Sequence, residues 1–211
     1  MPDVIHIDTD RTSYIMGVLP TGQPEHLYYG KRLRPMDDYG PLRQKNVVPY
    51  GTMVNVSQDH KNIGLDDQCL EYSGLGKGDF REPAVELAFA DGSRATDFRF
   101  VSSRTYRGRT GIDGLPTALG GESDVETTEL TLRDPEKGLS LILTYCAYAA
   151  CDVITRFATL RNDGGAPVRI DRLMSAQLDL FGGDWRFVTF DGCWAYERER
   201  KIGRASCRER V

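Results

Sequence analysis

The chain has 211 residues, with 27 basic against 31 acidic side chains and a formal net charge of −4. That balance argues against nucleic acid or an anionic membrane as partner, since either requires a clustered basic face, and no apolar run of about 18 residues is present to span a bilayer. The opening MPDVIHIDTD has neither the basic end nor the apolar centre of a signal peptide, so the expected location is cytoplasmic.

Short alternating segments separated by turn residues recur along the chain. TSYIMGVLPTGQPEHLYYGKRL, Thr12–Leu33, predicts two strands around a turn at Thr21–Pro24. From Pro35 to Ser73 the chain mixes Asp, Gly, Pro and Asn with little periodicity. A loop-rich segment lying on the surface is expected there, of the kind that often carries binding function. VELAF at Val85–Phe89, the turn ADGS and TDFRFVSSRTY at Thr96–Tyr106 predict a hairpin. ELTL at Glu129–Leu132 leads through Asp134, Pro135 and Gly138 into LSLILTY at Leu139–Tyr145. There Leu139, Leu141, Leu143 and Tyr145 share one face and Ser140 and Thr144 the other, the period of a half-buried strand. VITRFATL at Val153–Leu160, the turn NDGG and the strand PVRIDRL follow. No window sustains a 3.6-residue period with caps, so the predicted class is all-β, a large antiparallel β-sandwich.

The chemistry-bearing residues are sparse. Cys69, Cys146, Cys151 and Cys193 form no CxxC, and with His6, His26 and His60 they assemble no zinc pattern, so neither metal nor cofactor is expected. These cysteines are read as small buried hydrophobes. Asp66 and Asp67 could supply an acid and a base, but adjacent side chains point apart, and turn formation is the simpler reading. The segment Glu71–Ala84 joins Tyr72, Asp79, Phe80 and Arg81 to flexible glycines, which suits the apolar face and the hydroxyls of a sugar. It equally suits a bulge closed by an Asp79–Arg81 contact. Trp185 and Trp194 are read as core or interface anchors, with sugar stacking as the alternative.

The end of the chain reads differently. Ile202–Val211 back-translates without a gap to ATCGGAAGAGCGTCGTGTAGGGAAAGAGTG, the string of a common short-read sequencing adapter. Residues 201–211 are therefore read as translated adapter and residues 1–200 as natural protein. Without the three Arg and one Glu of Ile202–Val211 the remainder has 24 basic and 30 acidic residues, a charge of −6.

Six segments in order carry a family resemblance: HLYYGKRL (His26–Leu33), LEYSGLGKGDFREPA (Leu70–Ala84), GLPTAL (Gly114–Leu119), DVITRFATLRNDG (Asp152–Gly164), MSAQLDL (Met174–Leu180) and DGCWAYERER (Asp191–Arg200). Together they resemble the N-terminal domain of glycoside hydrolase family 36, the α-galactosidases or melibiases. The resemblance implies a β-supersandwich, here truncated on its C-terminal side, that precedes a TIM-like barrel. It also implies a retaining enzyme acting on terminal α-D-galactosyl groups of oligosaccharides, with two barrel aspartates doing the chemistry. Neither of those aspartates is in this sequence, so no catalytic residue and no hydrolysis are expected of it. The expected partners are the missing barrel, further copies in a homo-oligomer and, in the full-length enzyme, an α-galactoside oligosaccharide. Because the domain in some relatives reaches toward a neighbouring active site, Asp66, Asp79 and Arg81 are the substrate-binding candidates. A non-catalytic carbohydrate-binding or assembly module is the alternative.

Overall fold

The computed structural model describes residues 4–43, 54–121, 123–179 and 186–204. Its strands are β1 (Val4–Asp8), β2 (Thr12–Val18), β3 (Pro24–Lys31), β4 (Val85–Phe89), β5 (Arg99–Arg107), β6 (Val125–Asp134), β7 (Leu139–Tyr148), β8 (Val153–Asn162), β9 (Val168–Leu173), β10 (Arg186–Cys193) and β11 (Tyr196–Arg204). They form a β1–β2–β3 sheet, a β5–β6–β7–β8 sheet and the pairs β4–β9 and β10–β11. All pairings are antiparallel.

The β6–β7 hairpin forms where the turn chemistry predicts it. Gly138 takes a positive φ of 64°, and the Asp134 carboxylate accepts from the amides of Glu136 and Lys137, each at 3.0 Å. Such Asx capping holds a turn without help from distant contacts. The other oxygen of Asp134 accepts from the Asp97 amide at 2.8 Å, and the Thr96 amide donates to the Leu75 carbonyl at 3.0 Å. These bonds carry the chain out of β4 and across to the larger sheet. Val85–Phe89 and Thr96–Tyr106 consequently do not make the predicted hairpin: β4 pairs with β9 and β5 with β6.

A main hydrophobic core joins the β1–β3 sheet, the β4–β9 pair and the β5–β8 sheet into a sandwich. It takes Ile5 and Ile7 from β1, Tyr14 and Met16 from β2, Val85 and Leu87 from β4, Leu130 and Leu132 from β6, and Leu139, Leu141, Leu143 and Tyr145 from β7. Ile154, Ala158 and Leu160 of β8 pack against it. Arg156 lies on the same alternating face, and its charge is met by Glu71, which is fully buried.

Glu71 is the centre of a polar network inside this core. Its Oε1 lies 2.9 Å from Arg156 Nη1 and accepts from Tyr145 Oη at 2.6 Å. Tyr14 Oη donates to the same carboxylate at 2.7 Å, and Arg156 also donates to the Gln177 carbonyl at 2.8 Å. His26 Nδ1 stands 3.5 Å from Oε2, at the outer limit of a hydrogen bond. The Arg156 guanidinium sits 5.0 Å from the Tyr145 ring centre, a cation–π distance. Burial alone would raise the Glu71 pKa, but Arg156 and the hydrogen-bond donors around it outweigh burial and hold it below the ordinary value. Burial, reinforced by the Glu71 charge, raises both Tyr14 and Tyr145, so they remain hydroxyl donors.

Three further expectations need correction. The segment Pro35–Ser73 leaves the surface at its end, where Leu70, Glu71, Tyr72 and Ser73 are all buried, and residues 44–53 of it lie outside the described residues. A lone bridge between Glu25 and Leu70 and the Glu71 amide, which donates to the Pro24 carbonyl at 3.0 Å, tie this stretch to β3. Of the cysteines, Cys146 is buried but Cys151 and Cys193 are exposed. Trp194 is 96 % exposed and anchors no core here, while Trp185 lies outside the described residues.

Removing one partner of a buried ion pair strands the other charge. Arg156→Met should therefore cost about 3–5 kcal/mol in urea unfolding, while Glu71→Met combined with Arg156→Met should cost less than the two single changes added. Because the Glu71 pKa is lower in the folded chain, its stabilisation is present above the unfolded value, near 4.5, and is lost as pH falls through the folded value. In the Arg156→Met variant the buried Glu71 must protonate, so stability should rise as pH drops from neutral, opposite to the parent chain.

Candidate functional site

The glycine-rich stretch between Ser73 and Ala84 makes a tightly specified loop. At its base the Ser73 carbonyl accepts from the amides of Ala84 and Val85 at 3.0 and 3.1 Å. The Ser73 amide and hydroxyl in turn donate to Gln177 Oε1 at 2.9 and 2.8 Å. Higher in the loop Gly78 adopts φ +88°, and a Cβ there would stand 2.6 Å from Val54 Cβ. Only glycine combines that backbone with that approach at little cost.

Asp79 and Arg81 meet as the sequence suggested. Arg81 Nε donates to Asp79 Oδ1 at 2.9 Å, and Asp179 Oδ2 lies 3.4 Å from Nη1. Its Nη2 donates to the carbonyls of Leu65 and Gln68 at 3.0 and 2.6 Å. Burial works against this charge, but Asp79 and Asp179 more than offset it and raise the Arg81 pKa. The guanidinium fork thus clamps the 3-10 turn Leu65–Asp67 to the loop and to the segment after β9.

Asp66 is brought to the same corner, one residue beyond a carbonyl that Arg81 holds, and it is exposed. Asp79 is only 4 % exposed, while Phe80 between the clamped residues is 82 % exposed. The corner therefore presents Asp66 and Phe80 to solvent, with Asp79 and Arg81 as the brace behind them. Sequence reasoning missed Gln177 and Asp179, both buried. The signal was available in MSAQLDL, where two polar residues flank Leu178 at strand-like alternation. Among the described residues no group of three or more His, Cys, Asp and Glu is placed to hold a metal ion, and no helix is long and apolar enough to cross a membrane.

Layered antiparallel sheets packed on a shared main core define the chain as a β-sandwich domain. A family model described as the glycosyl hydrolase family 36 N-terminal domain matches residues 22–206, and the chain belongs to that family. Alpha-galactosidase AgaA of Geobacillus stearothermophilus is 32% identical over 92% of this chain and 26% of its own length. The bifunctional alpha-galactosidase/sucrose kinase AgaSK of Mediterraneibacter gnavus is 30% identical over 92% of this chain and 21% of its own. The crystal structure of the alpha-galactosidase from Lactobacillus brevis superposes with a TM-score of 0.88 at 29% identity, covering 96% of this chain and 27% of that one. AgaA variants solved with raffinose and with stachyose also superpose with TM-scores of 0.88, at 29% and 30% identity, covering 96% of this chain and 28% of each of theirs. The chain thus spans about a quarter of the length of the relatives it matches.

Arg81→Gln should release the Leu65–Asp67 turn and lower thermal stability, whereas the exposed Asp66→Ala should change it by no more than about 0.5 kcal/mol. Gly78→Ala should cost about 1–2 kcal/mol from the left-handed backbone alone. Denaturant unfolding of the three variants side by side checks this order.

Proposed function

We propose that this chain is an N-terminal piece of a retaining α-galactosidase that removes terminal α-D-galactosyl groups from oligosaccharides, and that it performs no hydrolysis itself. The family match carries the reading, and the raffinose and stachyose complexes of relatives support the substrate class. Retention requires two carboxyl groups about 5–5.5 Å apart around one sugar. The carboxylates of the loop corner cannot fill those roles, since Asp79 is buried against Arg81 and Asp66 is exposed beside a turn. In this reading the acid and the nucleophile belong to a barrel outside the 211 residues.

The domain's contribution is positional. The loop region from Pro35 to Arg81 reaches a substrate entrance, in a homo-oligomer that of a neighbouring subunit, with Asp66 facing sugar hydroxyls and Asp79 and Arg81 fixing the loop that carries it. A cytoplasmic location completes the proposal. The β10–β11 hairpin favours a larger assembly, because Phe187, Phe190, Trp194 and Tyr196 are each more than half exposed, an apolar surface that calls for a covering partner. Residues 201–211 are assigned to translated adapter on their back-translation. The strand pairing of Ile202 and Gly203 with Val188 and Phe187 is compatible with that origin, because a solvent-facing hairpin places few packing demands on its sequence.

Assay of an aryl α-galactoside tests the proposal. The pure 211-residue chain should give no turnover above buffer, and the same sequence through residue 200, continued into its genomic barrel, should hydrolyse it. Turnover by the short chain, or a gene that ends without a barrel, defeats the reading.

A further inference from the structure

The outward face of the β5–β8 sheet is a second surface with chemistry of its own. Register places Arg104 beside Glu129, Glu129 beside Thr144, and Thr144 beside Phe157, so one lateral row crosses all four strands. Three interstrand steps make that row about 14 Å long. Thr159 and Arg161 extend it along β8, and together these side chains line a shallow, open groove of about 520 Å³. Small-ligand sites typically run from about 300 to 1,000 Å³.

The groove is preorganised by contacts internal to the sheet. Glu129 accepts from Arg104 Nε and from Tyr106 Oη, each at 2.7 Å, and Tyr106 also meets Thr110 at 2.5 Å to fix the wall at one end. Burial would raise the Glu129 pKa, but these donors outweigh it and keep the carboxylate ionised. Arg161 is steered by Asp163, with Nε to Oδ1 at 2.5 Å. A guanidinium carries five N–H donors, so both arginines retain donors after pairing. Threonine hydroxyls line the floor and the half-buried Phe157 supplies the one aromatic wall. Paired charges, hydroxyls and one ring face on an open sheet are the complement of a neutral polyol. A polyanion would meet the carboxylate and the chain's net charge of −4.

We infer that this sheet face is a non-catalytic binding groove for a short α-galactosyl oligosaccharide, with Phe157 stacking on a sugar ring and Arg104, Glu129 and Arg161 bonding its hydroxyls. The choice of sugar rests on the function proposed above, while the groove rests on its own geometry.

The test is titration of the 211-residue chain with stachyose, followed by amide resonances and accompanied by a thermal melt. Stachyose should shift resonances of β6, β7 and β8, and Phe157→Ala and Glu129→Gln should each weaken binding about tenfold without loss of the cooperative melt. If the short chain does not melt cooperatively, the same variants are placed in the chain continued through its barrel, with the active site saturated by 1-deoxygalactonojirimycin. Stachyose binding that survives the inhibitor and falls with either variant supports the groove. No binding, binding unchanged by both variants, or equal binding of maltotriose overturns it. Hydrolysis of an aryl galactoside reports separately on the catalytic reading, so either idea can fail alone.

Discussion

A single buried carboxylate sets the terms for this domain. Glu71 has no access to water, and an isolated charge in that position would cost several kcal/mol. It is tolerated because Arg156, Tyr145 and Tyr14 approach from β8, β7 and β2, joining both layers of the sandwich at one point. Hydrophobic packing alone would accept small slips between the layers, whereas a carboxylate with directional partners accepts one arrangement. From that point order propagates outward. Arg156 bonds the Gln177 carbonyl, the Gln177 side chain bonds Ser73, and Ser73 fixes the base of the glycine-rich loop that ends in the Arg81 clamp.

The local parts of the fold were legible in the sequence and the non-local parts were not. Leu139, Leu141, Leu143 and Tyr145 declare a buried face by alternation, and Asp134 through Gly138 declares a turn, because both effects act within a few residues. The β4–β9 pairing joins segments far apart in sequence, and the bonds that lead the chain from β4 to β5, from the Asp97 amide to Asp134 and from the Thr96 amide to Leu75, are likewise not encoded by local spacing. Arg156 did leave a trace: a charge among Ile154, Ala158 and Leu160 on one face demands a buried partner. Nothing in the pattern said that the partner was Glu71, 85 residues earlier. At the candidate site the Asp79–Arg81 contact was legible because it spans two residues, while Asp179 reaches Arg81 from 98 residues away.

The same logic separates the two polar surfaces. At the loop corner most polar atoms are committed to holding the chain, with Arg81 bound to two carboxylates and two carbonyls, and Asp66 and Phe80 are the side chains turned to solvent. On the β5–β8 sheet the strands are already fixed by their backbone ladder. The charged side chains of that groove are paired, Arg104 with Glu129 and Arg161 with Asp163, which orients them without exhausting the donors of Arg104 and Arg161.

The exposed faces also differ in kind, and the difference bears on what covers each. The β10–β11 hairpin shows Phe190 and Trp194 to solvent at 63 % and 96 % exposure, which exacts a hydration cost that packing against more polypeptide would remove. The β5–β8 face carries Arg104, Glu129 and Arg161 over a floor of threonines, and covering it with an apolar layer would desolvate those charges without new partners. A protein layer suited to the hairpin is therefore unsuited to the sheet face. A fitting occupant of the sheet face is one that brings hydroxyls to the charges and a ring face to Phe157.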